Sequence, residues 1–236
     1  MRIGIENVSF RVSNNEILKG VDMQIDSGSI TCLLGVNGSG KSTLFSLISG
    51  SNVPSGGSIY IQGNDDTKTN PIDKDAKRLI AILPQEISDP VQLKVKEITA
   101  LSRFKSGSTI TWRLSNQDTE LIDRAIIKCG ITDLENRRFT TLSAGEKQRV
   151  WLTFCLAQEK PFLLLDESLS LLDVFTKHNY FKLLKQLASE GKGILLVTHD
   201  IDLAKEYADK VVVLGKGKII FNGEPKEFCS EIMQLI

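Results

Sequence analysis

The stretch Ile30-Thr31-Cys32-Leu33-Leu34-Gly35-Val36-Asn37-Gly38-Ser39-Gly40-Lys41-Ser42-Thr43-Leu44-Phe45-Ser46-Leu47-Ile48 decides how the rest of the chain is read. Residues 30–34 run apolar without alternation and end at a glycine, the pattern of a strand covered on both faces. Residues 35–43 match G-x-x-x-x-G-K-[ST], and Leu44 to Ile48 reads as an apolar helix. A strand, a glycine-rich loop and a helix in that order suit a phosphate cradle. The glycines let backbone N–H groups close around phosphate oxygens, and the helix N-terminus adds positive potential. In such a loop Gly35, Asn37, Gly38, Ser39 and Gly40 form the cradle. Lys41 reaches the β- and γ-phosphates, Ser42 a magnesium ion and Thr43 the α-phosphate.

Upstream, Ile3 to Phe10 alternates in part and Val21 to Ile25 strictly, with Ser27-Gly28 as a turn, which predicts an antiparallel β start. Downstream, Ser55 to Gly63 reads as a turn and strand, Asn64 to Asn70 as a polar loop and Ala81 to Leu83 as a short buried strand. From about Ser88 to Thr140 the strand signal vanishes and helical spacing takes over in Val95 to Phe104 and Asp118 to Cys129, the latter closed by Gly130. Layered alternation follows: helix Gly145 to Gln158, strand Phe162 to Leu165, helix Val174 to Ser189, strand Gly193 to Val197, helix Asp200 to Ala208 and strand Lys210 to Leu214. The sheet is therefore expected to be mostly parallel. A hairpin through Gly215-Lys216-Gly217 and a short C-terminal helix complete the reading.

The 236 residues suffice for one sizeable core, and 41% hydrophobic with 25% charged residues excludes a disordered or low-complexity chain. The 29 Lys and Arg balance the 29 Asp and Glu, so no overall basic field would hold a nucleic acid or an anionic membrane. No apolar run approaches the roughly 18 residues of a spanning helix, and residues 1–6 lack the apolar core of a secretory signal. A cytosolic product is expected. Cys32, Cys129, Cys155 and Cys229 lie far apart without a C-x-x-C, which reads as four buried reduced thiols.

Two further segments carry chemistry. Phe162 to Glu167 sets two carboxylates at the end of a buried strand, where an open parallel sheet presents its ligand crevice. Asp166 would hold magnesium through water, and Glu167 would orient the attacking water of a phosphoryl transfer. Leu142-Ser143-Ala144-Gly145-Glu146 opens a long helix, and Ser143 with Glu146 forms an S-x-x-E capping box.

With these motifs in this order, the chain resembles the nucleotide-binding subunits of ATP-binding cassette (ABC) transporters, whose signature is LSGGQ, over essentially its whole length. The resemblance implies ATP and Mg2+ as cofactors. It implies an α/β fold, a P-loop NTPase (RecA-like) core with a mostly parallel sheet, an N-terminal antiparallel β subdomain and an inserted α-helical subdomain. Residues 1–87 and 146–236 would form the core, residues 88–145 the helical subdomain. Gln85 matches the glutamine that contacts magnesium and senses the membrane partner. Asp173, in Ser170-Leu171-Leu172-Asp173, matches the loop that crosses to the other subunit, and His199 the switch histidine that holds the γ-phosphate. Ser143 and Gly145 fall in the signature, which in this family faces the phosphate loop of a second cassette. A phosphate loop already occupies its own helix N-terminus, so a γ-phosphate joins two such sites only across an interface. The implied partners are a second copy, transmembrane permease subunits and a substrate-binding protein, with no direct nucleic acid, at the cytoplasmic face of the membrane.

Ala144 stands for the first signature glycine, Glu146 for its glutamine and Ser168 for a proline after the acidic pair. Val12 aligns with the aromatic residue that stacks on adenine in the family; Phe10 takes that place only if the strand shifts by two residues. The segments Lys77 to Gln85 and Val95 to Phe104 look most like importers of iron siderophores, haem and cobalamin, with Ser102 where a glycine usually precedes the arginine. A soluble ABC ATPase acting as a clamp, a kinase on the same loop and a cassette that binds ATP without hydrolysis are the competing readings. The first usually carries tandem cassettes or a long coiled coil. The second does not require the signature, Asp173 and His199 together.

Overall fold

The computed structural model describes residues 1–63, 67–71, 78–85, 87–104, 114–166, 172–229 and 232. Glu167, Ser168, Ser170 and Leu171 lie outside the described residues, as do residues 64–66, 72–77 and most of the expected C-terminal helix.

In chain order the elements are β1 (Arg2–Val12), β2 (Asn15–Asp26), β3 (Ile30–Leu34), α1 (Lys41–Ile48), β4 (Gly56–Gln62), β5 (Lys68–Thr69) and β6 (Ile80–Leu83). Then come α2 (Val95–Leu101), α3 (Asn116–Lys128), α4 (Ala144–Leu156), β7 (Phe162–Asp166), α5 (Val174–Ser189), β8 (Gly193–Val197), α6 (Ile201–Tyr207), β9 (Lys210–Gly215) and β10 (Lys218–Gly223). Two sheets result: an antiparallel one in the order β2-β1-β4-β5 and a second in the order β10-β9-β3-β8-β7-β6. In the second sheet only the β9–β10 hairpin is antiparallel.

By packing, the chain divides into two units, the first of residues 1–85, 161–170 and 181–236 and the second of residues 86–160 and 171–180. Helix α4 and the first half of α5 thus group with the helical unit, whereas the sequence division falls at residues 145/146.

In the first unit every residue of β3, β7 and β8 is buried, as expected of parallel strands covered on both faces. Ile3, Ile5, Val8, Leu18, Val21 and Ile25 of the antiparallel sheet share one core with Leu44, Leu47 and Ile48 of α1 and with Leu33, Phe162, Leu164, Leu195 and Val212. The partial alternation of β1 has a local cause. Register shifts separate Ile5 from Val8, and Asn7 between them takes φ 49°, so the bulge turns Val8 back to the core. Gly57, at φ 78°, lies so close to the Asn7 carbonyl that any Cβ there would overlap it.

In the second unit α2, α3 and α4 pack on one another. The ring of Trp151 meets Phe139 and Phe154 edge-on at centroid distances of 5.3 and 6.0 Å. Arg103 Nε donates to Asp118 Oδ1 at 2.7 Å, joining the segment after α2 to the first turn of α3. Cys32, Cys129 and Cys155 are buried, and burial pushes their thiols up to about 12, 11 and 12. Cys229 departs from the expectation: it is exposed, because its neighbour Phe228 turns inward against Phe221 at the edge of the core.

Candidate functional site

The register of the parallel sheet brings the predicted phosphate and metal residues of the first unit to one edge. Leu33 of β3 pairs with Val197 of β8, and Val197 pairs with Asp166 of β7. Leu83 of β6 pairs with Leu165. The residues that follow these strand ends, Gly35 to Gly40, Thr198 and His199, and Pro84 and Gln85, therefore emerge beside Asp166, at the carboxyl edge where open α/β sheets bind ligands.

The loop is built by steric necessity. Gly35 has φ 154°, and a Cβ there would overlap the Leu214 carbonyl of the neighbouring strand. Gly38 is left-handed at φ 78° with nothing within 4 Å of its missing Cβ, so its glycine answers to backbone conformation alone. The loop is pinned from behind: Gly217 N–H donates to Ser39 O at 3.0 Å, and Lys19 N–H donates to Gly217 O at 2.9 Å.

Inside the loop, the Lys41 ammonium is buried and donates to the carbonyls of Gly35 at 2.9 Å and Val36 at 3.1 Å. The Ser39 hydroxyl is buried with no hydrogen-bond partner. Helix α1 begins at Gly40, at φ 108°, with no side-chain cap and no acid in its first turn. Helices α3 and α4 instead carry capping boxes closed by Asp118 and Glu146, and α6 is capped by Asp200. A helix N-terminus without a side-chain cap, an inward ammonium and the buried Ser39 hydroxyl suit a polyanion.

Asp166 is buried at the end of β7, while Ser42 is exposed in the first turn of α1. A hydroxyl and a carboxylate are oxygen donors of the kind magnesium takes. Gln85 is exposed just past β6. Thr198 N–H donates to Leu33 O at 3.2 Å and Thr198 Oγ1 accepts the Asp200 N–H at 3.1 Å, which fixes both flanks of the exposed His199. Val12, at the tip of the first hairpin opposite Asn15, is 52% exposed. Phe10 pairs with Leu18 and packs on the core, so its ring is already committed.

In the second unit Ser143 caps α4 as expected. Its hydroxyl accepts the Glu146 N–H at 3.3 Å, and its own N–H donates to the Glu146 carboxylate at 2.7 Å. The bond from the Ser143 backbone is the largest cause holding the Glu146 carboxyl below its usual range. Asp173 caps α5 through the N–H and hydroxyl of Thr176, at 3.0 and 2.6 Å. The Thr176 methyl would lie 2.8 Å from a Cβ on Gly145, so the glycine admits α5 against the start of α4. Sequence reasoning missed Thr176 and Arg137. The Arg137 guanidinium lies 3.3 Å from Glu146 Oε1 and donates to Thr141 O at 2.9 Å, and nothing in its sequence context announces either contact.

The family model described as ABC transporter matches residues 18–170. The chain belongs to the ABC transporter family. It is an ATPase of that family and binds ATP. This cassette is 34% identical over 238 residues to the petrobactin import ATP-binding protein FpuC of Bacillus anthracis, covering 99% of this chain and 86% of that one. Among solved structures, an inward-facing metal-chelate type ABC transporter matches with a TM-score of 0.85 and 27% identity, over 99% of this chain and 87% of the other. A dimeric post-hydrolysis ATP-binding cassette bound to ADP and Pi matches with a TM-score of 0.78 and 27% identity, over 96% and 100% of the two chains. No helix among the described residues is long and apolar enough to cross a membrane.

Proposed function

We propose that this cassette is the magnesium-dependent motor of a metal-chelate importer, working as an ATP-bridged pair of copies beneath transmembrane permease subunits. The observation that carries the reading is the α1 N-terminus, with no acid in its own first turn, a glycine loop leading into it and the Lys41 ammonium held inside. The polyphosphate would lie against the N–H groups of residues 38–43, with Lys41 on its β- and γ-oxygens.

The hydroxyl of Ser42 and the carboxylate of Asp166 would hold the ion, with Gln85 at its edge; magnesium, when bound, neutralises charge on the phosphate oxygens. Glu167 would position the attacking water and accept its proton, while His199 would hold the γ-phosphate from the next strand end. Val12 would meet the adenine without a π face. The acceptor of the second copy would be Ser143 with the N–H groups of Ala144 and Gly145, and Asp173 would face that copy. Support for pairing comes from the dimeric ADP-bound relative and from the separation of anion sites onto two different helices.

Support for metal-chelate import comes from the petrobactin and metal-chelate relatives and from the resemblance of residues 77–104. Permease subunits would place the chain at the inner membrane face, fed by a substrate-binding protein outside. The experiment is Glu167→Gln followed by sedimentation with ATP. Turnover should be suppressed, ATP binding kept and a dimer accumulated. An active enzyme that stays monomeric at every concentration refutes the shared site. Copurification with soluble ribosomal or DNA-bound partners instead of permeases refutes the transport role.

A further inference from the structure

The two helix N-termini offered to phosphate differ in charge. Helix α1 has no acid in its first turn, whereas the first turn of α4 contains Glu146, whose carboxylate closes the Ser143 cap. An acid in this place satisfies the cap of a free helix but repels an arriving polyphosphate.

Of the two arginines whose charge lowers the Glu146 carboxyl, Arg137 and Arg149, it is Arg137 that bonds it. Arg137 Nη1 lies 3.3 Å from Glu146 Oε1. Its Nη2 is anchored on the carbonyl of Thr141, in the short 3-10 turn Phe139–Thr141 that leads into the cap. The Arg137 backbone is held as well: its N–H donates to Leu134 O at 2.8 Å and its carbonyl accepts the Val95 N–H at 3.1 Å. The other cations of this turn make their hydrogen bonds elsewhere. Arg149 donates to the Gly130 carbonyl at 3.0 Å, and Lys147 pairs with Asp89.

We propose that Arg137 is a positioning residue for the nucleotide that bridges two copies of the chain. It offsets the Glu146 charge and holds that carboxylate in the Ser143 cap, so that the start of α4 accepts a phosphate although it carries an acid. The proposal rests on the reading of Ser143 as the acceptor of the second copy. It adds that acceptance depends on charge compensation by a residue outside the signature.

The test is a charge rescue in the full-length chain. ATP-driven dimerisation is measured by sedimentation with magnesium and the slowly hydrolysed analogue ATPγS, and nucleotide affinity of the monomer by titration at high dilution. Melting curves establish that each variant is folded. Arg137→Ala should weaken dimerisation about tenfold, since the charge is lost at both sites of a symmetric pair, with monomer affinity within about twofold. Arg137→Lys, which keeps the charge, should stay within about threefold of the parent. Glu146→Gln keeps an acceptor for the Ser143 N–H and removes the charge, so in the Arg137→Ala background it should restore dimerisation. If the double variant stays as weak as Arg137→Ala, Arg137 serves only as a scaffold for the Thr141 turn and the proposal is overturned. If Arg137→Ala dimerises like the parent, the proposal fails while the shared site stands. If the parent itself never dimerises, both fall.

Discussion

Replacing Lys41 with Met tests the phosphate site at its centre, and the structure sets the size of the effect. An ammonium has three N–H donors. The Lys41 ammonium already points at the carbonyls of Gly35 and Val36, at 2.9 and 3.1 Å, so it need not leave the loop to meet a phosphate. The binding loss is then one hydrogen bond between charged groups, about 1.5–3 kcal/mol, or roughly tenfold to a hundredfold in the Kd for ATP. The same change leaves loop carbonyls without a donor, and the melting temperature should fall by an amount corresponding to about 1–3 kcal/mol. Calorimetric titration with ATP, ADP and AMP, below the variant's melting range, separates the two effects. The loss should be large for ATP and ADP and small for AMP, which has no β-phosphate. Binding of ATP within twofold of the parent, or an equal loss for AMP, would refute the placement of the Lys41 ammonium on the β- and γ-phosphates.

Three further outcomes are expected. Val12→Tyr should tighten ATP binding by about 1 kcal/mol, because Phe10 packs on the core and the exposed hairpin tip lacks a π face; an unchanged ATP affinity would assign the base to another residue. Asp118 is held down to about 2, first by its hydrogen bond from Ser115 and next by Arg103. A depressed carboxyl stabilises the fold above its unfolded value, and that stability is lost as pH falls through the folded one. The helical unit should therefore lose at most about 2 kcal/mol between pH 4 and 2, with solvent screening reducing this, and hydrogen exchange of α3 in Asp118→Asn should lose that dependence. Of the four thiols, Cys229 alone should react with an aromatic disulfide in the native protein, with Cys32, Cys129 and Cys155 following only on unfolding; more than one fast thiol would contradict the packing.

The phosphate loop is legible in the sequence because its glycines, Lys41 and Ser42 are contiguous, and because the strand before it is apolar on both faces. The same holds for Phe162–Asp166 and Gly193–Val197, whose unbroken apolar runs mark parallel strands. What the sequence conceals is whatever depends on contacts between distant segments. The bulge at Asn7 shifts the inward face of β1 by one residue, and its cause lies in part in Gly57, on another strand. The exposure of Cys229 follows from Phe228 turning toward Phe221, a choice between neighbours that composition does not announce. Thr176 against Gly145, and Arg137 beside Glu146, join residues whose spacing matches no helical or strand period.

The contrast between α1 and α4 bears on why a single copy is insufficient in the proposed mechanism. Each helix N-terminus leaves its first N–H groups without intrahelical partners, and each solves that differently. In α4 the Ser143 hydroxyl and the Glu146 carboxylate form a capping box, so the helix is complete in the free chain and asks for no ligand. In α1 neither device exists, and the Lys41 ammonium adds positive charge where an acid would ordinarily sit. Nucleotide affinity of one copy should thus reside at α1. The start of α4 would act only as a second, weaker contact that a phosphate reaches once it is already held, with its strength set by how well the Glu146 charge is offset. Hydrolysis, by releasing the γ-phosphate, would remove the weak contact first and leave the strong one intact. On this ordering the pair should open while ADP is still bound, which stopped-flow dimer dissociation alongside labelled ADP release would measure; ADP leaving before the pair separates would reverse the assignment of strong and weak sites.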